Sequence, residues 1–385
     1  MVKRVGVAGL DNDVRGKRQA AGLSQQALAK RCGLTRQAIN AIEAGHYAPG
    51  TVAALRLARV LGCTVEALFR LPEESQRLEA ELLGERQPSE AGRMRLQVAR
   101  VGDRLLAHPM TGAVAAFTAA DGLLVAPVPQ PRRADRYVEI DLLVDAQVPE
   151  STVVVLGCDP ALALLGAHLT RRYPMLRLIW VPRSSLAALR MLGRGEAHAA
   201  GTHLWDPESG ESNTPYVQRE LAGRRLVVIT LSQWQQGLIV ARGNPKGIAG
   251  PADLARSEVT LVNRDPGSGS RMLLDTWLRN AGIAPPRVPG YGREVPSHLA
   301  VAEAVASGGA DVGPGILAVA RVLGLDFVPL QEERYDLVIP LEFLNTAPVH
   351  ALLEVAASAH FRAELEALGG YNGARAGTVV AEFDS

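Results

Sequence analysis

Asn263-Arg264-Asp265-Pro266-Gly267-Ser268-Gly269-Ser270-Arg271 is followed by a run, Met272 to Leu278, in which Leu273, Leu274, Trp277 and Leu278 share one helical face. In front of it, Glu258-Val-Thr-Leu-Val262 reads as a strand. A Gly- and Ser-rich turn is therefore predicted between a strand end and a helix start. The first-turn N–H groups of a helix have no intrahelical partner, and the macrodipole adds roughly half a positive charge there. With hydroxyls at Ser268 and Ser270 and fixed cations at Arg264 and Arg271, the loop has the chemistry of an oxyanion site. Taken alone, it is equally a capped helix start with two surface arginines.

Outward from this loop, strand and helix patterns alternate. Strands are expected at Thr152–Leu156, Leu176–Val181, Ala197–Ala200, Leu226–Leu231 and Leu238–Ala241, with others near Val288 and at Ala310–Val312. Helices are expected at Ala161–Tyr173, Ser185–Leu192, Arg271–Gly282 and Leu299–Ala306. Such alternation predicts a doubly wound α/β architecture with ligands at the carboxyl ends of its strands. Those ends carry small polar residues: Gly157-Cys-Asp-Pro-Ala161, Arg183-Ser184-Ser185, Ala200-Gly-Thr-His203 and Gly292 to His298. Asp159 reads as an N-cap with Pro160 at the first helical position. Each of these is an ordinary cap on its own; their recurrence points to one crevice. The candidate ligand contacts are Asp159, Ser184, Ser185, Thr202, Arg264, Ser268, Gly269, Ser270 and Arg271, and no metal ligands are expected.

The first seventy residues read differently. Val14–Ala21, Gln25–Cys32, Arg36–Ala44, Thr51–Leu61 and Thr64–Phe69 are predicted helices, with Ser24 and Thr35 as caps and Gly22, Gly33 and Gly45 as stops. Two helices joined by a short turn containing Gly make a helix-turn-helix. Leu23-Ser-Gln-Gln-Ala-Leu-Ala-Lys-Arg-Cys-Gly-Leu-Thr-Arg-Gln-Ala-Ile-Asn-Ala-Ile-Glu-Ala-Gly45, with Pro49 and Leu57-Ala-Arg-Val-Leu-Gly62, resembles the Cro/phage-repressor type of helix-turn-helix. The resemblance implies that Arg36 to Ala44 is the recognition helix in the major groove, with Arg36, Gln37, Asn40 and Ala41 at the positions facing base edges. Gln25 matches the family's phosphate contact, and His46 and Tyr47 can add others. Such domains usually read palindromes as dimers, so a homodimer on double-stranded DNA is expected.

The α/β region also carries a resemblance. Gly157-Cys-Asp-Pro-Ala-Leu162, Gly195-Glu-Ala-His-Ala-Ala-Gly-Thr-His-Leu204, Gln236-Gly-Leu-Ile-Val-Ala-Arg-Gly-Asn-Pro-Lys-Gly247, the Asn263–Arg271 loop, Leu325-Asp-Phe327 and Glu333-Arg-Tyr-Asp336 resemble the periplasmic-binding-protein-like, molybdate-binding type of domain. Arg264 and Ser268-Gly-Ser270 also match the Arg-x-x-x-Ser-Gly-Thr spacing of phosphate-binding relatives, with Ser270 keeping the hydroxyl of Thr. The resemblance implies two lobes closing on a ligand, with crossovers near Gln236 and Pro329. Molybdate and tungstate are acceptor-only dianions at neutral pH and suit a site of N–H and O–H donors. Phosphate carries a proton and gains from a carboxylate, which Asp159 or Asp265 supplies if it points inward.

Composition bounds these readings. With 385 residues, 47% hydrophobic, the chain exceeds one ordinary core and is expected to be multidomain. Aromatics at 4% leave little for stacking on single strands. Residues 1–70 hold 11 Lys and Arg against 4 Asp and Glu, although the whole chain carries only +1. A basic end on a mildly acidic body fits contact with nucleic acid at that end. Cys32, Cys63 and Cys158 lack metal-ligand spacing and read as buried thiols of a reducing compartment. No apolar stretch reaches 18 residues and Met1–Leu10 is no convincing signal peptide, so a cytoplasmic location without a membrane partner is expected. Neither a Gly-x-Ser-x-Gly elbow nor a P-loop is present, so an enzyme is not expected.

The expected organisation is an all-α helix-turn-helix domain at 1–71, a linker helix (Leu78 to Leu83) and small β element at 72–149, a two-lobed α/β periplasmic-binding-protein-like domain at 150–370, and a tail at 371–385. Residues 93–128 read as short strands without an assigned role. The expected activity is one-component transcription regulation, with no cofactor and with molybdate or tungstate as effector. A small organic anion, phosphate or sulfate is the alternative.

Overall fold

Ser24, Thr35 and Thr64 each accept a hydrogen bond from the backbone N–H three residues on, at 3.1, 3.1 and 3.2 Å. Among the described residues of the N-terminal unit these caps start three of five helices: α1 (Val14–Ala20), α2 (Gln25–Cys32), α3 (Arg36–Glu43), α4 (Thr51–Leu61) and α5 (Val65–Leu68). Gly33 and Gly62, at φ +66° and +67°, close α2 and α4 in the left-handed conformation that glycine adopts without strain. Val14, Leu28, Ile39, Ile42, Leu57 and Leu68 are buried together as its core. Two short strands, β1 (Asp11–Asn12) and β2 (Phe69–Arg70), pair antiparallel and tie its ends. The computed structural model describes residues 10–70, 76–84, 93–111, 118–127 and 136–384. The charged stretch after Arg70, residues 85–92 and the proline- and arginine-rich stretch at 128–135 lie outside the described residues. The chain divides into two compact units, 1–75 and 76–385.

The second unit begins with a closed barrel of β3 (Arg77–Leu82), β4 (Arg95–Val101), β5 (Arg104–Pro109), β6 (Gly122–Pro127) and β7 (Tyr137–Leu142), in the order β3-β5-β4-β6-β7. This corrects the linker helix expected at Leu78 to Leu83. Leu78, Ala80 and Leu82 alternate with Glu79 and Glu81, and that period of two sends the apolar side chains into the barrel beside Leu96, Val98 and Ile140. The outer faces of Ala99, Val101 and Leu106 join the core of the α/β region. Arg177 bolts the two together: its guanidinium is paired with the buried Asp121 carboxylate and donates to Val98 O (3.1 Å) and Thr152 Oγ1 (2.7 Å).

The α/β region follows as β8 (Thr152–Gly157), α6 (Ala161–Arg172), β9 (Arg177–Pro182), α7 (Ser185–Gly193) and β10 (Ala199–Thr202). The hairpin β11 (Trp205–Asp206) and β12 (Glu211–Ser212) precedes α8 (Thr214–Glu220). Next comes β13 (Leu226–Val240), one 15-residue strand where two separate strands were expected. Then come β14 (Asn263–Arg264), α9 (Gly269–Asn280), β15 (Glu294–Val295), α10 (His298–Ala306), β16 (Val312–Ile316), α11 (Leu317–Val322) and a second 15-residue strand, β17 (Asp326–Pro340). The strand expected at 258–262 is only a bridge from Leu261 to Val312; the paired strand is the next two residues. The strand expected near Val288 lies instead at Glu294–Val295, after a 3-10 turn at Pro285–Arg287.

β13 and β17 pair antiparallel along nearly their whole length, with register shifts at Thr230/Ser232 and Gln236/Gly237. One end of this ladder continues through β10 and β8 to β9, and the other lies against β16. The larger core, around Val153–Leu156, reaches across to Val262, Val301 and Ile316, and a smaller one of Leu238, Val240, Leu254, Leu261, Leu274, Leu278 and Val312 belongs to the far end alone. These are two lobes joined by two continuous strands. The expected tail at 371–385 is corrected as well. β18 (Tyr371–Asn372) and β19 (Val379–Phe383) pair with β13 and extend the sheet. Among the described residues no helix is long and apolar enough to cross a membrane.

Two histidines sit where the barrel meets the first lobe. His108 and His198 are buried, and burial above all pulls each from 6.5 to about 4. The N–H of Val154 donates to His198 Nδ1 at 3.0 Å, which requires that nitrogen unprotonated. Between these values the unfolded chain binds more protons at these two groups than the folded one, so their contribution to stability falls as pH drops from 6.5 towards 4. Denaturant unfolding across this range is expected to lose up to roughly 3 kcal/mol per histidine. Replacing both by Gln should flatten that slope.

Candidate functional site

The ends of β8 and β10 stand side by side, and Tyr335 of β17 reaches between them. A Cβ on Gly157 would lie 2.2 Å from its hydroxyl oxygen and one on Gly201 2.0 Å, so glycine at both positions lets the phenol in. The residues at and just past these ends, Cys158, Asp159, Thr202 and His203, are all buried. Asp159 Oδ1 accepts from Ala161 N–H (2.9 Å) and from the Tyr371 hydroxyl (2.7 Å), so it holds the first N–H of α6 from one residue before the N-cap, which is Pro160 and not Asp159 as expected, while Oδ2 has no partner. Burial pushes this carboxyl up to about 6 against those hydrogen bonds. Ser185 Oγ accepts from His203 N–H at 3.2 Å, Ser184 stands buried before α7, and Thr202 Oγ1 is buried without a partner.

The second lobe closes on this edge through the Asn263–Arg271 loop. Ser268 is the N-cap of α9, accepting from Arg271 N–H at 3.3 Å, and Ser270 lies within the first turn. A Cβ on Gly269 would fall 1.8 Å from His203 O, so only glycine lets the helix start approach the other lobe so closely. Leu186 N–H donates to Gly267 O at 3.2 Å across the same junction. Gln236, at the register shift of β13, donates from Nε2 to Ser270 Oγ.

Arg264 is fully buried. Its Nε donates to Val295 O (3.3 Å) and its Nη2 to Pro296 O (3.1 Å) and Asp265 Oδ1 (3.2 Å), while Nη1 has no partner. The structure takes Arg271 elsewhere. Its guanidinium lies 4.1 Å from the Tyr291 ring centre and donates to Arg264 O (3.0 Å), with Glu294 and Asp275 each at 3.4 Å. It braces the loop from behind, because α9 begins two residues earlier than expected and turns position 271 away. Asp265 pairs with Arg264 and is about one-third exposed, which leaves Asp159 as the inward carboxylate.

Several buried groups here were not among the ligand contacts expected from sequence. His203 Nδ1 lies 3.0 Å from Glu333 Oε2, which also accepts from Trp234 Nε1 at 3.3 Å. Burial pulls the His203 imidazole down, but the Cys158 sulfur and the Glu333 carboxylate outweigh it and raise it to about 10. His298 opens α10 with neither ring nitrogen partnered; burial first, then the charges of Arg264 and His203, holds it well below the usual histidine range. Cys158, His203 and His298 place one ligand atom each within 4.8 Å of one another. This is a grouping that the cysteine spacing does not reveal. Buried polar groups are normally satisfied, and each orphan costs about 1–3 kcal/mol. Their concentration between two lobes marks a place built to hold a small polar ligand.

In the N-terminal unit, Arg36, Gln37 and Asn40 are exposed on α3, and Ala41 and Gln25 are half-buried beside them. Gln25 Nε2 donates to Glu43 Oε2 (3.0 Å) and lies 3.4 Å from Asn40 Oδ1. Glu43 is also paired with Arg18 at 2.6 Å, so one carboxylate fixes α1, α2 and α3 together. His46 and Tyr47 are exposed just after α3.

Residues 14–68 match the helix-turn-helix family and residues 166–357 the PBP superfamily domain. The chain is 36% identical over 233 residues to "Uncharacterized protein YvgK" of Bacillus subtilis, covering 60% of this chain and 74% of that one. It is 46% identical over 113 residues to "Uncharacterized protein in ferredoxin 2Fe-2S gene 5'region" of Clostridium pasteurianum, covering 29% of this chain and all of that one. Its N-terminal part is 45% identical over 62 residues to an HTH-type transcriptional regulator of Methanothermobacter thermautotrophicus, covering 16% of this chain and 90% of that one. The chain belongs to the PBP superfamily and carries its ligand-binding domain behind a Cro-type helix-turn-helix, the architecture of a DNA-binding transcription regulator.

Proposed function

We propose that this regulator is a homodimer whose affinity for its operator is set by a tetrahedral oxyanion, molybdate or tungstate, held between the two lobes. The observation that carries this reading is Arg264: a fully buried cation with one unpartnered N–H group, at the start of the loop that also presents Ser268, Gly269 and Ser270. A buried cation needs all its N–H groups satisfied; Asp265 pairs with Nη2, and a dianion would satisfy Nη1. Thr202 adds a buried hydroxyl from the opposite lobe, with Ser184 and Ser185 beside it. The site holds a ligand by charge and hydrogen bonds, and its role is binding rather than catalysis. Phosphate is the second reading, favoured by the free Asp159 Oδ2, which can accept the proton that phosphate keeps.

The ligand shifts DNA binding only by its unequal affinity for the DNA-competent and other states, with coupling of roughly 1–3 kcal/mol as the usual range. Thermal unfolding with molybdate, tungstate, sulfate or phosphate tests the reading. An anion at about 100 times its dissociation constant adds about 2.7 kcal/mol and raises the midpoint by several degrees. Molybdate and tungstate are expected to give that shift and Arg264→Ala to abolish it; a shift with phosphate alone favours the second reading, and none with any anion refutes both. For the other end of the chain, Arg36→Ala combined with Gln37→Ala should weaken operator binding by about 1–3 kcal/mol per lost base contact while leaving the anion shift intact. Unchanged operator affinity in a footprinting titration would remove α3 from its recognition role.

A further inference from the structure

Cys158, His203 and His298 come from three separate places in the chain: the end of β8, the end of β10 and the first residue of α10. All three are buried, and one sulfur and two ring nitrogens lie within 4.8 Å of one another. Tetrahedral bonds of about 2.0–2.3 Å put ligand atoms about 3.3–3.8 Å apart, so small side-chain rotations bring the three to bonding positions. The His203 ring is already oriented for this. Its Nδ1 side is held by Glu333 Oε2 at 3.0 Å, and its Nε2 is buried without a partner. A carboxylate behind a ligating imidazole is the usual support of a metal-bound histidine. His298 has neither ring nitrogen engaged, which an apolar packing role for a fully buried imidazole leaves unexplained.

We propose that Cys158, His203 and His298 form a transition-metal site in the cleft, with Glu333 orienting His203. One thiolate and two imidazoles suit zinc, cobalt, nickel or copper and not magnesium or calcium, whose ligands are oxygens. Three protein ligands leave the fourth position of a tetrahedral ion open to a small exogenous ligand. A divalent ion held by one thiolate and two neutral imidazoles keeps a net positive charge, so it supports rather than opposes an anion drawn to Arg264. Two ligands come from the first lobe and one, His298, from the second. The ion therefore stabilises the closed arrangement directly. The site goes beyond the oxyanion reading and stands without it.

The test uses the full chain, stripped with EDTA and titrated with cobalt(II). One equivalent is expected to give tetrahedral visible bands and a near-ultraviolet thiolate-to-cobalt band, both lost on adding zinc(II). Cys158→Ser should remove the thiolate band, His298→Ala should weaken zinc at least about tenfold, and Glu333→Gln should weaken it about 10- to 100-fold. Cys32→Ser, in the core of the N-terminal unit, should change nothing. The wild-type spectrum needs no variant to fold. The proposal falls if that protein shows no thiolate band, or if the band survives Cys158→Ser. Measuring the molybdate shift on both the stripped and the cobalt-loaded protein keeps the two readings apart: a cobalt band with no shift in either form refutes the oxyanion and keeps the metal.

Discussion

Everything in the ligand-binding region hangs on one hydrogen-bonded ladder, the pairing of β13 with β17. Each strand runs 15 residues, about 50 Å at a strand's rise, which is long enough to leave one lobe and enter the other without a loop. The two cross closely because Gly237 has no side chain: a Cβ there would lie 2.1 Å from Val328 O. At this point the register slips by one residue and Gln236 turns towards Ser270. The same two strands deliver Trp234, Glu333 and Tyr335 to the chamber, so the hinge and the floor of the site are one object.

Much of this was legible from residues. Strand and helix alternation, the caps at Ser24 and Thr35, and the crevice at the strand ends follow from local periodicity and capping chemistry. What escaped was what only tertiary pairing decides. Leu78 to Leu83 is short, and Glu79 and Glu81 suit a solvated helix as well as an outer barrel face, so its period of two passed for a helical turn. The last fifteen residues looked like a tail because a two-residue strand such as Tyr371–Asn372 has no pattern of its own. Its partner, β13, lies more than a hundred residues earlier.

The candidate site divides in the same way. Arg264, Ser268, Gly269 and Ser270 were visible because one loop holds them all. Arg271 was placed with them by sequence proximity, yet helical rotation sends it to Tyr291 and Glu294. His203, His298 and Glu333 belong to three distant segments, and nothing in their spacing declares that they meet. Histidine in an α/β chain is commonly a satisfied core residue; only the orphaned nitrogens set these two apart.

The barrel adds a mechanical asymmetry. Its outer face shares a core with the first lobe, and Arg177 and Arg104 clamp it there through Asp121, Val98 O, Arg194 O and Gly195 O. The chain leaves the first lobe along β13 and re-enters it along β17, so the second lobe is an excursion whose entry and exit are the same ladder. In engineering terms, the barrel and first lobe form a stator and the second lobe a paddle on a two-strand leaf spring. Any movement of one lobe against the other would have to be taken up by these two strands, so the ladder that builds the floor of the cleft would also carry the load of closing it.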